Sequence, residues 1–194
     1  ERRERGTEEV RPPAEALVAD RRVDAPGSAI AGTMDGTRPL LVEVQGLTSP
    51  TSFGNPRRTT KGLDFNRLLL TAAVLTRRAG LRLSDQDVFV NVVGGLSINE
   101  PAADLAVAAA IASSMRNVPV RADFVLLGEL GLSGELRAVR QTTARLTEAK
   151  RLGFSSAVVP RRLRANQPWP DGIEVLEARS LSQALKFALL EESI

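Results

Sequence analysis

The segment Gly94–Ser114, GGLSINEPAADLAVAAAIASS, decides how this chain folds. Its paired glycines and Pro101 predict a strand end, a tight turn and a helix start. Pro suits the first helical position, where a missing N–H costs nothing, and Glu100 and Asp104 put negative charge at the positive helix end. From Leu105 to Ile111 every residue is Ala, Leu, Val or Ile. No polar face remains, so this helix is expected to be buried on all sides. A helix fixed in the core and entered through a glycine turn is a rigid mount for a nucleophile. Its first turn, however, offers Ala102 and Ala103 where a hydroxyl would be needed. The frame of a catalytic site is present without a reactive atom.

Working outward, Ser28–Met34 and Pro39–Gly46 read as two strands joined at Asp35-Gly36, a hairpin signal lengthened by Thr37 and Arg38. Thr48–Gly62, TSPTSFGNPRRTTKG, reads as a long loop. Asp64 is placed to cap a helix running to about Ala79, with Phe65, Leu68, Leu69, Ala72 and Leu75 at core spacing and Arg67, Arg77 and Arg78 turned elsewhere. Asp87–Val93 is a strand that leads into the buried helix. Further strands are expected at Phe124–Glu129, Gly134–Val139, Ala157–Pro160 and Gly172–Leu176. Helices are expected at Gln141–Leu152, closed by Gly153, and at Ser180–Leu190, capped by Ser180. Strands and helices without strict βαβ repetition indicate a two-layer α/β sandwich. Residues 1–25 are charged and lack a sustained apolar period, apart from a helical turn compatible with Ala14–Ala19, so they read as a leader or linker, with one domain over 26–194.

Composition removes whole classes of chemistry. The 194 residues contain no His, Cys or Tyr, which excludes Ser-His-Asp and Cys-His machinery, zinc sites of the usual ligands, and disulfides. There is no signal peptide or apolar span, so a cytoplasmic, non-membrane protein is expected. The pI of about 10.1 overstates basicity. With nothing titrating between the carboxylates and the lysines, a formal charge of +3 suffices to raise it. Only Lys61, Lys150 and Lys186 interrupt an otherwise all-Arg set of cations. A GC-rich genome gives the same bias, so their placement matters more than their number. Neither a Walker A sequence nor a G-x-G-x-x-G fingerprint occurs, so this segment is not expected to bind ATP or a dinucleotide.

Four blocks in order, GTRPLLVEVQ (Gly36–Gln45), SPTSFGNPRRTTKGLDFNRLLL (Ser49–Leu70), NVVGGLSINEPAADLAVAAAIASS (Asn91–Ser114) and GELGLSGELRAV (Gly128–Val139), resemble the C-terminal Lon-protease-like domain of the bacterial RadA (Sms) family of DNA-repair proteins. The resemblance implies a ribosomal protein S5 domain 2-like fold. It also implies an upstream zinc finger and RecA-like ATPase core, so Zn, ATP and Mg would belong to those domains and no cofactor to this one. Active Lon proteases carry a Ser directly after the Pro and a Lys on the helix following the strand pair. A partly desolvated Lys can serve such a dyad as general base. Here those positions read as Ala102 and Thr143, so the domain is expected to be catalytically silent. Metal ligands are not expected.

What the resemblance then implies is a homohexameric ring around double-stranded or branched DNA in branch migration, with a recombinase as a further partner. The loop cations Arg57, Arg58 and Lys61, with Arg67 on the next helix, are the candidate DNA-binding residues. They would meet phosphates without reading bases. The alternatives are a solvated loop, or one paired to a neighbouring subunit. A second basic group, Arg137, Arg140, Arg145, Lys150 and Arg151, reads as an ordinary solvated face, followed by Arg161, Arg162 and Arg164. Trp169, between two prolines, reads as a residue packed at the edge of the core, with a stacking platform as the alternative. Two rival functions stand beside this reading: an active Ser-Lys peptidase, and a purely structural oligomerisation module.

Overall fold

A central sheet of seven strands carries the molecule, in the order β3-β4-β2-β1-β5-β8-β9. The computed structural model describes residues 18, 24–162 and 168–190. Most of the expected leader, and Arg164, lie outside them. β1 (Ser28–Asp35) and β2 (Arg38–Pro50) form an antiparallel hairpin, and β2 pairs antiparallel with β4 (Gln86–Val92). β3 (Arg58–Lys61) joins β4 in parallel, while β5 (Phe124–Leu126), β8 (Ser156–Pro160) and β9 (Glu174–Ala178) extend from β1 in parallel. β6 (Glu129–Leu130) and β7 (Leu136–Arg137) make a separate short ladder. The helices are α1 (Phe65–Ala79), α2 (Asp104–Arg116), α3 (Thr142–Arg151) and α4 (Leu181–Ala188).

The α/β sandwich expected from the sequence is the observed class. α1, α2 and α4 pack on one face over Ala29, Ala31, Val42 and Val44. The alternate residues Ile30 and Leu41 point to the other face, where Leu146 and Ala149 of α3 cover them. α2 is buried from Asp104 through Ser113, as its composition requires. Its small side chains let β2 lie against it: a Cβ on Gly46 would stand 2.9 Å from Ala110 C and Ile111 N. Only glycine fits that approach. The end of α2 is tied down by its serines. Ser113 Oγ accepts from Gly27 N at 2.8 Å and Ser114 Oγ accepts from Thr48 N at 2.9 Å.

Several boundaries differ from the sequence reading. Asp35 pairs with Arg38, so the hairpin loop is the two residues Gly36 and Thr37. The segment read as a loop from Thr48 to Gly62 is strand at both ends: β2 runs on to Pro50, and 58–61 form the sheet edge. The strand expected over Phe124–Glu129 divides into β5 and β6. Asp64 is the N-cap of α1 but makes no side-chain cap bond. Ser180 does cap α4, accepting from Gln183 N at 3.2 Å.

Candidate functional site

Two regions bear on function: the turn that opens α2, and the basic edge of the sheet. Gly94 and Gly95 both have positive φ, 83° and 71°, and deliver the chain to a single 3-10 turn, Pro101–Ala103. Ala102 is buried, and its carbonyl accepts from Gly128 N at 3.0 Å. Leu105 N donates back to Gly128 O at 3.1 Å. The helix start is thus sewn to the loop after β5.

Two ion pairs flank this turn, one on each side. Glu100 Oε1 accepts from Met34 N at 2.9 Å, and the same carboxylate takes Arg145 Nη1 at 2.5 Å and Nη2 at 3.0 Å. Arg145 also donates to Gly32 O at 2.8 Å and Arg140 O at 2.9 Å. The Arg145 side chain is 3 % exposed and that of Glu100 27 %. Arg145 therefore does not belong to a solvated basic face. Its position beside Leu146 and one turn before Ala149 puts it on the buried side of α3. Thr143, the position the sequence suggests for a vestigial base, is exposed. The α3 side chain that reaches the opening turn is Arg145, two residues further on.

On the other side, Asp104 accepts from Arg67 Nε at 3.1 Å, from Arg67 Nη2, and from Leu130 N at 3.0 Å. Burial nevertheless pushes its carboxyl up to about 6, outweighing the hydrogen bonds from Arg67 and Leu130 N. Arg67 is consequently engaged within the chain.

The expected DNA-binding residues separate into two groups. Arg58 is half-buried, and its guanidinium donates to Gln86 O at 2.5 Å and Leu83 O at 2.9 Å, clamping the loop before β4. Arg57 and Lys61 are exposed. They lie on the same side of the β3 edge, since side chains alternate along a strand, and are roughly 13 Å apart at four residues' separation. Arg57 is fixed through its backbone, whose N–H donates to Asp87 Oδ1 at 2.7 Å. Next to Lys61, a cleft of about 530 Å³ lies over Phe89, Leu47 and Asn91, on the part of the sheet that α3 leaves uncovered. Elsewhere, Arg137 pairs with Glu135, Arg151 with Glu148 and Arg162 with Glu177. Trp169 packs against the core cluster under α3. Among the described residues no group of His, Cys, Asp and Glu is placed to hold a metal ion, and no helix is long and apolar enough to cross a membrane.

Sheet order, buried helix and basic edge define a mixed α/β domain with a polar rim at β3. Its sequence over residues 47–162 matches the model of the family described as subunit ChlI of Mg-chelatase, and the chain belongs to that family. Relatives that align over almost the whole chain carry another name. DNA repair protein RadA of Halalkalibacterium halodurans is 45% identical over 97% of this chain, and that of Bacillus subtilis 44% over 97%. The Streptococcus pneumoniae protein of the same name is 46% identical over 93%. The chain spans 41% of the length of the first two and 43% of the third.

Proposed function

We propose that this chain is the non-catalytic, Lon-like DNA-binding and assembly domain of a RadA-type DNA-repair protein. In the whole protein, an upstream ATPase tier would bind ATP and Mg and a zinc finger would hold Zn. The present domain would contribute contacts between subunits of a hexameric ring and a surface for double-stranded or branched DNA during branch migration. The observation that carries this reading is the pair Arg57 and Lys61, both exposed on one side of the sheet edge and neither ion-paired among the described residues. Spaced cations without a base-reading element suit phosphates rather than sequence. Arg58 and Arg67, held by internal acceptors, then act as scaffold for that edge.

The silent-enzyme part rests on the opening turn of α2. The resemblance puts the serine position at Ala102, and the basic groups of the two flanking ion pairs are the guanidinium groups of Arg145 and Arg67, which do not give up their protons in proteins and so cannot serve as a general base. The engagement of Arg58 and Arg67 favours, as a second reading, a purely structural oligomerisation module. Duplex-DNA binding by the Arg57→Glu/Lys61→Glu variant separates the two. The proposal expects affinity to fall about tenfold or more at low salt. Unchanged affinity in a variant of unchanged assembly state would favour the structural module.

A further inference from the structure

On the side of the molecule covered by α3 lies a second cleft, of about 560 Å³, between the first turn of that helix and the end of β8. Its walls include Val139, Thr142, Thr143, Arg161, Arg162 and Trp169. We propose that it binds a phosphate carried on a larger organic group, the chemistry of a nucleotide or of a phosphorylated DNA end.

The polar lining is dominated by donors. Arg161 is exposed, and among the described residues its guanidinium makes no hydrogen bond or ion pair. The nearby acid, Glu177, is already held by Arg162, through backbone N at 2.8 Å and Nε at 3.1 Å. Arg161 therefore leaves the cleft with a positive charge. The Thr142 hydroxyl donates to Val139 O at 3.0 Å, but that of the exposed Thr143 has no partner among the described residues. The first N–H groups of α3 lack acceptors within the helix. The Trp169 indole Nε1 is shielded from water, so the ring enters the cleft as an apolar wall and not as a donor. The Arg162 guanidinium lies over the same ring at 4.8 Å and fixes it as a wall.

A tetrahedral phosphate has three terminal oxygens to offer to donors that diverge in this way, where a carboxylate has two. The cleft is also far larger than a phosphate, and Val139, Pro168 and Trp169 give it an apolar side for a sugar or base. None of these residues belongs to the Arg57–Lys61 edge. Failure of this proposal therefore leaves the DNA-surface reading untouched, and the converse holds.

Trp169 is the single tryptophan, and the chain has no tyrosine, so its emission reports this cleft alone. The 194-residue chain is titrated with sodium phosphate, with dTMP, and with a short oligonucleotide bearing either a 5′-phosphate or a 5′-hydroxyl, all against chloride at matched ionic strength. The expected result is a saturable change with phosphate and a tighter one with dTMP or the phosphorylated oligonucleotide. A preference for one of these two names the natural source of the phosphate. Arg161→Ala, at an exposed position, is expected to weaken binding about tenfold. Trp169→Ala, which removes the apolar wall, is expected to weaken dTMP binding as well, read by calorimetry. No saturable change beyond that of chloride, or affinity unchanged in Arg161→Ala, would overturn the proposal.

Discussion

Replacing Arg145 with Met tests whether the opening turn of α2 is locked from α3. The substitution keeps a long side chain but removes two bonds to Glu100, at 2.5 and 3.0 Å, and the bonds to Gly32 O at 2.8 Å and Arg140 O at 2.9 Å. Glu100 is left with Met34 N as its remaining donor among those named, and Gly32 O loses the guanidinium. Removing one member of a buried pair costs about 3–5 kcal/mol. Because Glu100 is 27 % exposed, water can partly hydrate the orphaned carboxylate, so the lower half of that range is expected. At about 2–4 °C per kcal/mol for a chain of this size, the melting temperature should drop by roughly 6–16 °C. Urea unfolding followed by far-UV circular dichroism gives the free energy directly, with an unchanged slope against denaturant showing that the unfolded state is comparable. The double variant Arg145→Met/Glu100→Leu should recover part of the loss, with a coupling of about 2 kcal/mol. A loss below about 1 kcal/mol for Arg145→Met, or strict additivity in the double variant, would refute the idea that this pair fixes the turn.

Two further outcomes concern the same turn. Ala102→Ser should leave unfolded casein intact, because the basic groups flanking the introduced hydroxyl among the described residues are the guanidinium groups of Arg67 and Arg145; measurable cleavage would revive the peptidase reading. Asp104→Asn should flatten the pH dependence of stability between about pH 4 and 6. With its carboxyl raised from 3.8 to about 6, the folded state holds a proton that the unfolded state has released in that window. Stability from this group therefore falls as pH rises through it, by about 3 kcal/mol in all. Urea midpoints measured across that window in both proteins would show the slope and its loss. An equal slope in the variant would count against the assignment.

Much of this fold was readable because local chemistry and tertiary packing agreed. The apolar run from Leu105 to Ile111 permits no exposed face, and Ser180 and Asp64 mark their helix starts by position. What escaped depends on partners distant in sequence. Four residues, Arg58–Lys61, carry no strand pattern of their own and become strand because β4 offers a free edge. Arg145 resembles its basic neighbours in composition, and only its spacing with Leu146 and Ala149 hints at burial. Its partner Glu100 lies 45 residues away. Arg58 and Arg67 read as free cations for the same reason: their acceptors, the carbonyls of Leu83 and Gln86 and the carboxylate of Asp104, are supplied by other elements.

The salt dependence of duplex-DNA affinity bears most directly on the proposed role, measured by fluorescence anisotropy alongside the sedimentation behaviour of the same sample. Two phosphate contacts per chain, from Arg57 and Lys61, should give a slope of log affinity against log salt of about −2 for a monomer. A ring that engages several copies at once should give a steeper slope, and Arg57→Glu/Lys61→Glu should bring either close to zero. Binding that ignores salt, or a slope that survives the double charge reversal, would contradict the assignment of this edge to nucleic acid.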